Sequence, residues 1–196
     1  MDVISHAIIG AIIAQIFLWQ LDDDKTRRSW VLFGACMGAA PDITNIPLYL
    51  HLGALNDRLL WIPHHSDWDG YRSSHPLMAL GWEITHSLVL VVLVGGLLYK
   101  IGKPIWTAVC WGSHSLIDVL SHTGEWATVP LWPISLRIEG WGDPWKWEPL
   151  WWVISNIILL TCLALVSLQM KKWREGWPKY LLPKDAWYPT QNTSNT

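Results

Sequence analysis

The chain has 196 residues, of which 51% are hydrophobic and only 15% charged, with 17 Trp against 2 Phe. That length leaves no room for separate catalytic and regulatory domains, and the composition excludes a disordered chain and disfavours a soluble domain, which carries about 25% charged residues. With 14 Lys+Arg against 16 Asp+Glu the net charge is -2, so no global basic field exists to attract nucleic acid and none is expected as a partner.

Residues 3–21 contain no Asp, Glu, Lys or Arg, and that length matches the roughly 20 residues a helix needs to cross a bilayer. No positive segment precedes this run, as it would in a secretory signal, so it is expected to remain as structure. A second helix is expected over 29–41. A third is expected over 87–99, long enough to cross with tilt once extended back through Glu83 to His75 and Pro76. A fourth is expected over 104–117, and a fifth over 150–168, stopping at Lys171-Lys172-Trp173-Arg174. Cys36, Cys110 and Cys162 each stand alone in an apolar run and read as small core residues.

Lys and Arg gather in short cytoplasmic loops. Lys25, Arg27 and Arg28 follow the first run, Lys100 and Lys103 separate the third and fourth, and five more basic residues follow the last. A five-helix path with the N-terminus outside and the C-terminus cytoplasmic satisfies all of these clusters. The fold class is therefore an all-α multi-pass membrane bundle with long outer loops, formed by one domain over 1–175, with a polar tail over 176–196. Trp19, Trp30, Trp106 and Trp173 fall beside the basic loops, while Trp126, Trp145, Trp147, Trp151 and Trp152 fall at the opposite ends, as two interfacial belts do. Within the outer loops, 134–139 alternates like a small extended element. His51, His64, His65 and His75 read as solvated loop histidines.

Ionisable groups inside spans are costly and mark function by default. Here they are His6, Asp42, Glu83, His86, His114, Asp118 and His122. The spacing His114-x-x-x-Asp118-x-x-x-His122 places three potential ligands on one helix stripe, and Glu83 and His86 share a face three residues apart. Counting from the basic clusters at about 1.5 Å per residue puts Asp42, His86 and Asp118 about 21 Å deep and His6 and His122 about 28 Å deep. All five fall in the outer half of an apolar core about 30 Å thick. Imidazoles and carboxylates without thiolates suit a divalent ion, zinc first, with manganese and iron as alternatives.

The motifs Met1-Asp2-Val3-Ile4-Ser5-His6-Ala7, Gly38-Ala39-Ala40-Pro41-Asp42-Ile43, Ile84-Thr85-His86-Ser87-Leu88 and the run from Gly112 through His114 and Asp118 to Thr123 carry a resemblance. In this order and spacing the chain resembles the YdjM-like family of predicted membrane-bound metal-dependent hydrolases, over residues 1 to about 170. That family is distantly similar to zinc-dependent phospholipase C and the S1/P1 nucleases. The resemblance implies an inner-membrane location and metal ligation by His6, Asp42, His86, His114, Asp118 and His122. It also implies hydrolysis of a phosphoester by metal-activated water. Many members carry His-Arg-Gly just before Thr-His-Ser, where this chain has Gly81-Trp82-Glu83 before Ile84, so no Arg stands there and Glu83 is a further candidate ligand. The expected substrate is a phosphoester in a lipid or envelope-related molecule reaching the site from the outer leaflet, with Asp42 and Asp118 as catalytic carboxylates. The alternative is a non-enzymatic metal or proton carrier, whose ionisable groups should spread through the whole membrane depth.

Overall fold

The computed structural model describes residues 3–19, 21, 23–61, 67 and 70–176. Over these the chain forms helices α1 (Val3–Phe17), α2 (Asp24–Thr44), α3 (Ile46–Leu55), the four-residue α4 (Tyr71–Ser74), α5 (Pro76–Thr85), α6 (Leu88–Lys100), α7 (Trp106–Ser121) and α8 (Pro149–Gly176). The extended element expected at 134–139 reduces to one antiparallel bridge between Thr128 and Ile138. Most of the polar tail, and the loop histidines His64 and His65, lie outside the described residues.

Each boundary follows from local chemistry. Asp23 caps α2, its carboxylate accepting from the Thr26 amide at 3.0 Å, and Asp24 places a negative charge in the first turn where the helix dipole favours it. Pro41 lies inside α2, so the helix continues past the expected end and carries Asp42 within it. The Pro41 carbonyl is taken by Thr44 Oγ1 at 2.6 Å and Asn45 Nδ2 at 2.7 Å, which closes the helix. Asn45 then starts α3, a helix between the second and third expected ones.

The stretch Asp24–Leu55, at 32 residues, and Pro149–Trp173, at 25, are each long and apolar enough to cross a membrane. Helices α5 and α6 bend by 51° across His86-Ser87 and make a third such span if counted together. Helices α1 and α7 have 15 and 16 residues. The expected five-helix path thus corresponds to two full-length helices, a broken one and two shorter ones. The break is satisfied by the loop that follows α7: the Leu88 amide donates to Pro130 O at 2.8 Å and Ser87 Oγ to Trp132 O at 3.1 Å. Broken helices persist at membrane depth when protein groups take up the freed backbone atoms in this way.

Helix α1 packs against α2, α7 and α8, and α6 packs against α7. The α1–α2 crossing is close because glycines face each other: a Cβ on Gly10 would stand 2.3 Å from Gly34 O, and one on Gly38 2.5 Å from His6 O. Close glycine contact drives helix association in lipid, where apolar surface alone gives no preference for protein over acyl chains. Gln15 Nε2 donates to Ser167 Oγ at 3.0 Å and ties α1 to α8. The outward faces are apolar, with Leu93, Leu97, Ile157, Ile158 and Leu165 all more than half exposed, as a lipid-facing surface requires. Cys110 is buried as expected, whereas Cys36 and Cys162 are exposed.

The tryptophan belts are only partly recovered. Trp19 meets Trp173 edge to face at 6.0 Å, and Trp147 meets Trp152 at 6.2 Å, each pair within one expected belt. Trp106 and Trp126 are instead core residues, 1% and 5% exposed. Trp106 packs with Ala14, Leu18 and Cys110, and Trp126 with Leu48, Leu52, Ala79 and Trp82.

Candidate metal centre

Four helices deliver the polar groups that the depth count placed together. Side chains of His6 from α1, Asp42 from α2, His86 at the end of α5, and His114 and Asp118 from α7 are no more than 5% exposed, as is His122 just beyond α7. Among the described residues four histidines stand close to Asp118. His6 Nε2 and His122 Nδ1 lie 3.0 and 3.3 Å from its Oδ1, and His114 Nε2 and His86 Nε2 lie 3.0 and 3.2 Å from its Oδ2. Asp42 Oδ1 completes the second group, 3.7 Å from His114 Nε2 and 3.9 Å from His86 Nε2.

The backbone fixes what these nitrogens can do. His114 Nδ1 faces Gly38 O at 2.7 Å and His86 Nδ1 faces Trp82 O at 2.8 Å. A carbonyl only accepts, so both Nδ1 atoms carry the proton, and in the neutral rings both Nε2 atoms present lone pairs. Those two Nε2 atoms are 3.0 Å apart and both face Asp118 Oδ2, another acceptor. Lone pairs converging in a buried space repel unless a cation sits among them. The four ligand atoms of Asp42, His86, His114 and Asp118 lie within 4.8 Å of one another. A tetrahedral zinc at about 2.0–2.1 Å from nitrogen sets its ligands about 3.3 Å apart, within the range of the observed separations. Two carboxylates also balance a divalent charge. The donors therefore fit a divalent ion, and the Nδ1–carbonyl bonds are the outer hydrogen bonds that metal-binding histidines use to hold their tautomer.

A second group lies on the other oxygen of Asp118. His6 Nδ1 makes no hydrogen bond among the described residues, although the residue is 1% exposed. Its ring stacks on His114 with centroids 3.7 Å apart, and Trp82 stacks on His86 at the same distance. Trp82 also meets Trp126 edge to face at 5.1 Å, so aromatic rings wall the His86 side.

The structure does not bring Glu83 to the cluster. Its carboxylate pairs with Arg72, which also donates through Nε to Glu125 O at 2.6 Å and through Nη2 to Ala127 O at 2.9 Å. The reason is geometric: the charge of an arginine 11 residues upstream claims Glu83. Burial, and after it the charge of Arg137, push the Arg72 guanidinium pKa down, while Glu83 and Glu125 oppose this. Arg72 thus pins the turn before Ala127 to α5. Replacing Arg72 by Met should speed hydrogen exchange of the Trp126 and Ala127 amides by tenfold or more, while Glu83→Gln should leave metal content unchanged. Loss of metal in Glu83→Gln would return Glu83 to the ligand set.

Sequence reasoning missed three contributors: Gly38, Trp82 and Arg72. Gly34 and Gly38 form a small-xxx-small pair that marks close helix packing, and Trp82 stands four residues before His86 on the same helix face. No local signal points to Arg72.

A model of the YdjM inner membrane protein family matches residues 1–182. The chain belongs to that family. The YdjM match spans more of the chain than the motifs alone and places this protein in the inner membrane. No curated protein and no solved structure matches it.

Proposed function

We propose that this YdjM family member is a membrane-embedded metal-dependent phosphoester hydrolase acting on a lipid or envelope-related substrate. The observation that carries the reading is the meeting of the His86 and His114 lone pairs with the Asp42 and Asp118 carboxylates at a buried point. His86, His114, Asp42 and Asp118 would hold one divalent ion, zinc by preference. His6 and His122, which stand on the other side of the Asp118 carboxylate, would hold a second. Bound there, divalent ions polarise a phosphoryl oxygen and lower the pKa of a coordinated water towards neutrality.

The chain's own residues supply the rest. Gly38 O and Trp82 O keep the two imidazoles in the tautomer that offers Nε2. The Asp42 carboxylate would orient the attacking water by accepting its hydrogen bond, a placement worth several kcal/mol when geometry is right. Trp82, Trp126, Leu48 and Leu52 form a buried apolar cluster that excludes bulk water from the His86 side. Confinement of the ionisable groups to one level favours this over a carrier.

Elemental analysis of the purified full chain, paired with hydrolysis assays on phosphomonoester and phosphodiester lipids, tests the proposal. Chelation should strip the metal and abolish hydrolysis, and added zinc should restore both. Metal-loaded protein that cleaves neither class while carrying ion flux in liposomes would replace the hydrolase with a carrier.

A further inference from the structure

Away from the metal centre, α2 and α8 both pack on α1 and leave a cleft of about 870 Å³ between them at the end of the bundle rich in Lys and Arg. Ala11, Val31, Ala35, Ala164 and Leu168 give its walls an apolar character, and Leu32 and Leu168 are among the exposed apolar side chains. Its rim carries Arg27, Arg28 and Lys171 against Asp24 and Glu175. These cations are not equivalent. Arg27 is 8% exposed and is committed to structure, donating through Nη1 to Leu21 O at 2.8 Å and pairing with Asp24. Arg28 is exposed and pairs with no acidic side chain among the described residues, while Lys171 stands 4.0 Å from Glu175 with both side chains 66% exposed.

A cleft between helices is filled by lipid in a bilayer, and acyl chains gain little by leaving bulk lipid for an apolar protein wall. Selectivity must then come from the headgroup. We propose that this cleft binds an anionic phospholipid of the cytoplasmic leaflet, one acyl chain lying along Ala11, Ala35 and Ala164 and the phosphate held by Arg28 and Lys171. Basic pockets between transmembrane helices on the cytoplasmic side recognise such headgroups, and each cation near the surface contributes about fivefold in affinity. The site is independent of the metal centre and needs no hydrolytic activity.

The full chain, purified in uncharged detergent, should retain phosphatidylglycerol over phosphatidylcholine by tenfold or more in native mass spectrometry. Arg28→Gln with Lys171→Gln should erase that preference with metal content unchanged. Lys146→Gln, which removes an exposed cation from an outer loop, should leave it intact. Equal retention of both lipids, or a preference that survives the double substitution, would overturn the assignment. Competition by millimolar glycerol phosphate as strong as that of the intact lipid would also overturn it, by showing a free-anion site.

Discussion

Asp118→Asn is expected to leave the helical bundle folded and to reduce its bound metal to a trace, with hydrolysis falling by about a thousandfold or more. The argument rests on the two sides of one carboxylate. Oδ1 faces His6 and His122, and Oδ2 faces His86 and His114, all within 3.3 Å. Asparagine keeps the shape but removes the negative charge. Its amide protons turn one face from acceptor to donor, and a donor aimed at two imidazole lone pairs forms hydrogen bonds where a cation belongs. The same bonds satisfy the buried nitrogens, so the fold survives. Leaving them unsatisfied would cost about 1–3 kcal/mol each. Elemental analysis beside far-UV circular dichroism separates the two effects, and full metal loading of Asp118→Asn would refute the shared-carboxylate arrangement.

Gly38→Val should have the largest effect of any substitution outside the ligand set, because this residue serves both the packing and the site. Its first side-chain carbon would meet the His6 carbonyl oxygen at 2.5 Å and the Gly10 Cα at 3.1 Å. Backbone atoms cannot step aside as a flexible side chain can, so α1 and α2 must separate. Overpacking of this kind costs about 1–3 kcal/mol and occasionally more. The Gly38 carbonyl that orients His114 and the backbone that carries His6 then move together. Disturbing outer hydrogen bonds of metal ligands lowers metal affinity by about 10–100-fold, and that is the expected loss here on top of a lower unfolding temperature. Gly96→Ala is the matched control. A Cβ at Gly96 meets nothing within 4 Å, so that exchange should hold or slightly raise stability through the better helix propensity of alanine.

The convergence of the candidate ligands was more legible in the sequence than the structure around them. A spacing of four, close to one helical turn, places His114, Asp118 and His122 on one stripe, and charge-free runs ending in Lys and Arg give each helix a depth scale, so convergence of His6, Asp42, His86 and Asp118 follows from counting. Counting does not show partners that arrive from loops. Glu83 shares a face with His86 and reads as a ligand until Arg72, in another segment, claims it. Pro41 reads as a helix end, but the helix carries on to Thr44, where the Thr44 and Asn45 side chains take the Pro41 carbonyl and close it. Trp106 and Trp126 read as interfacial from their place in the chain, yet tertiary packing buries both. For Glu83 and the two tryptophans the deciding contact comes from another segment of the chain.

The metal content of the purified full-length chain tests the central claim most directly. About two divalent ions per chain, falling to a trace in Asp118→Asn and unchanged in Glu83→Gln, is the expected result. A wild-type chain that stays metal-free after exposure to zinc, manganese and iron would contradict it.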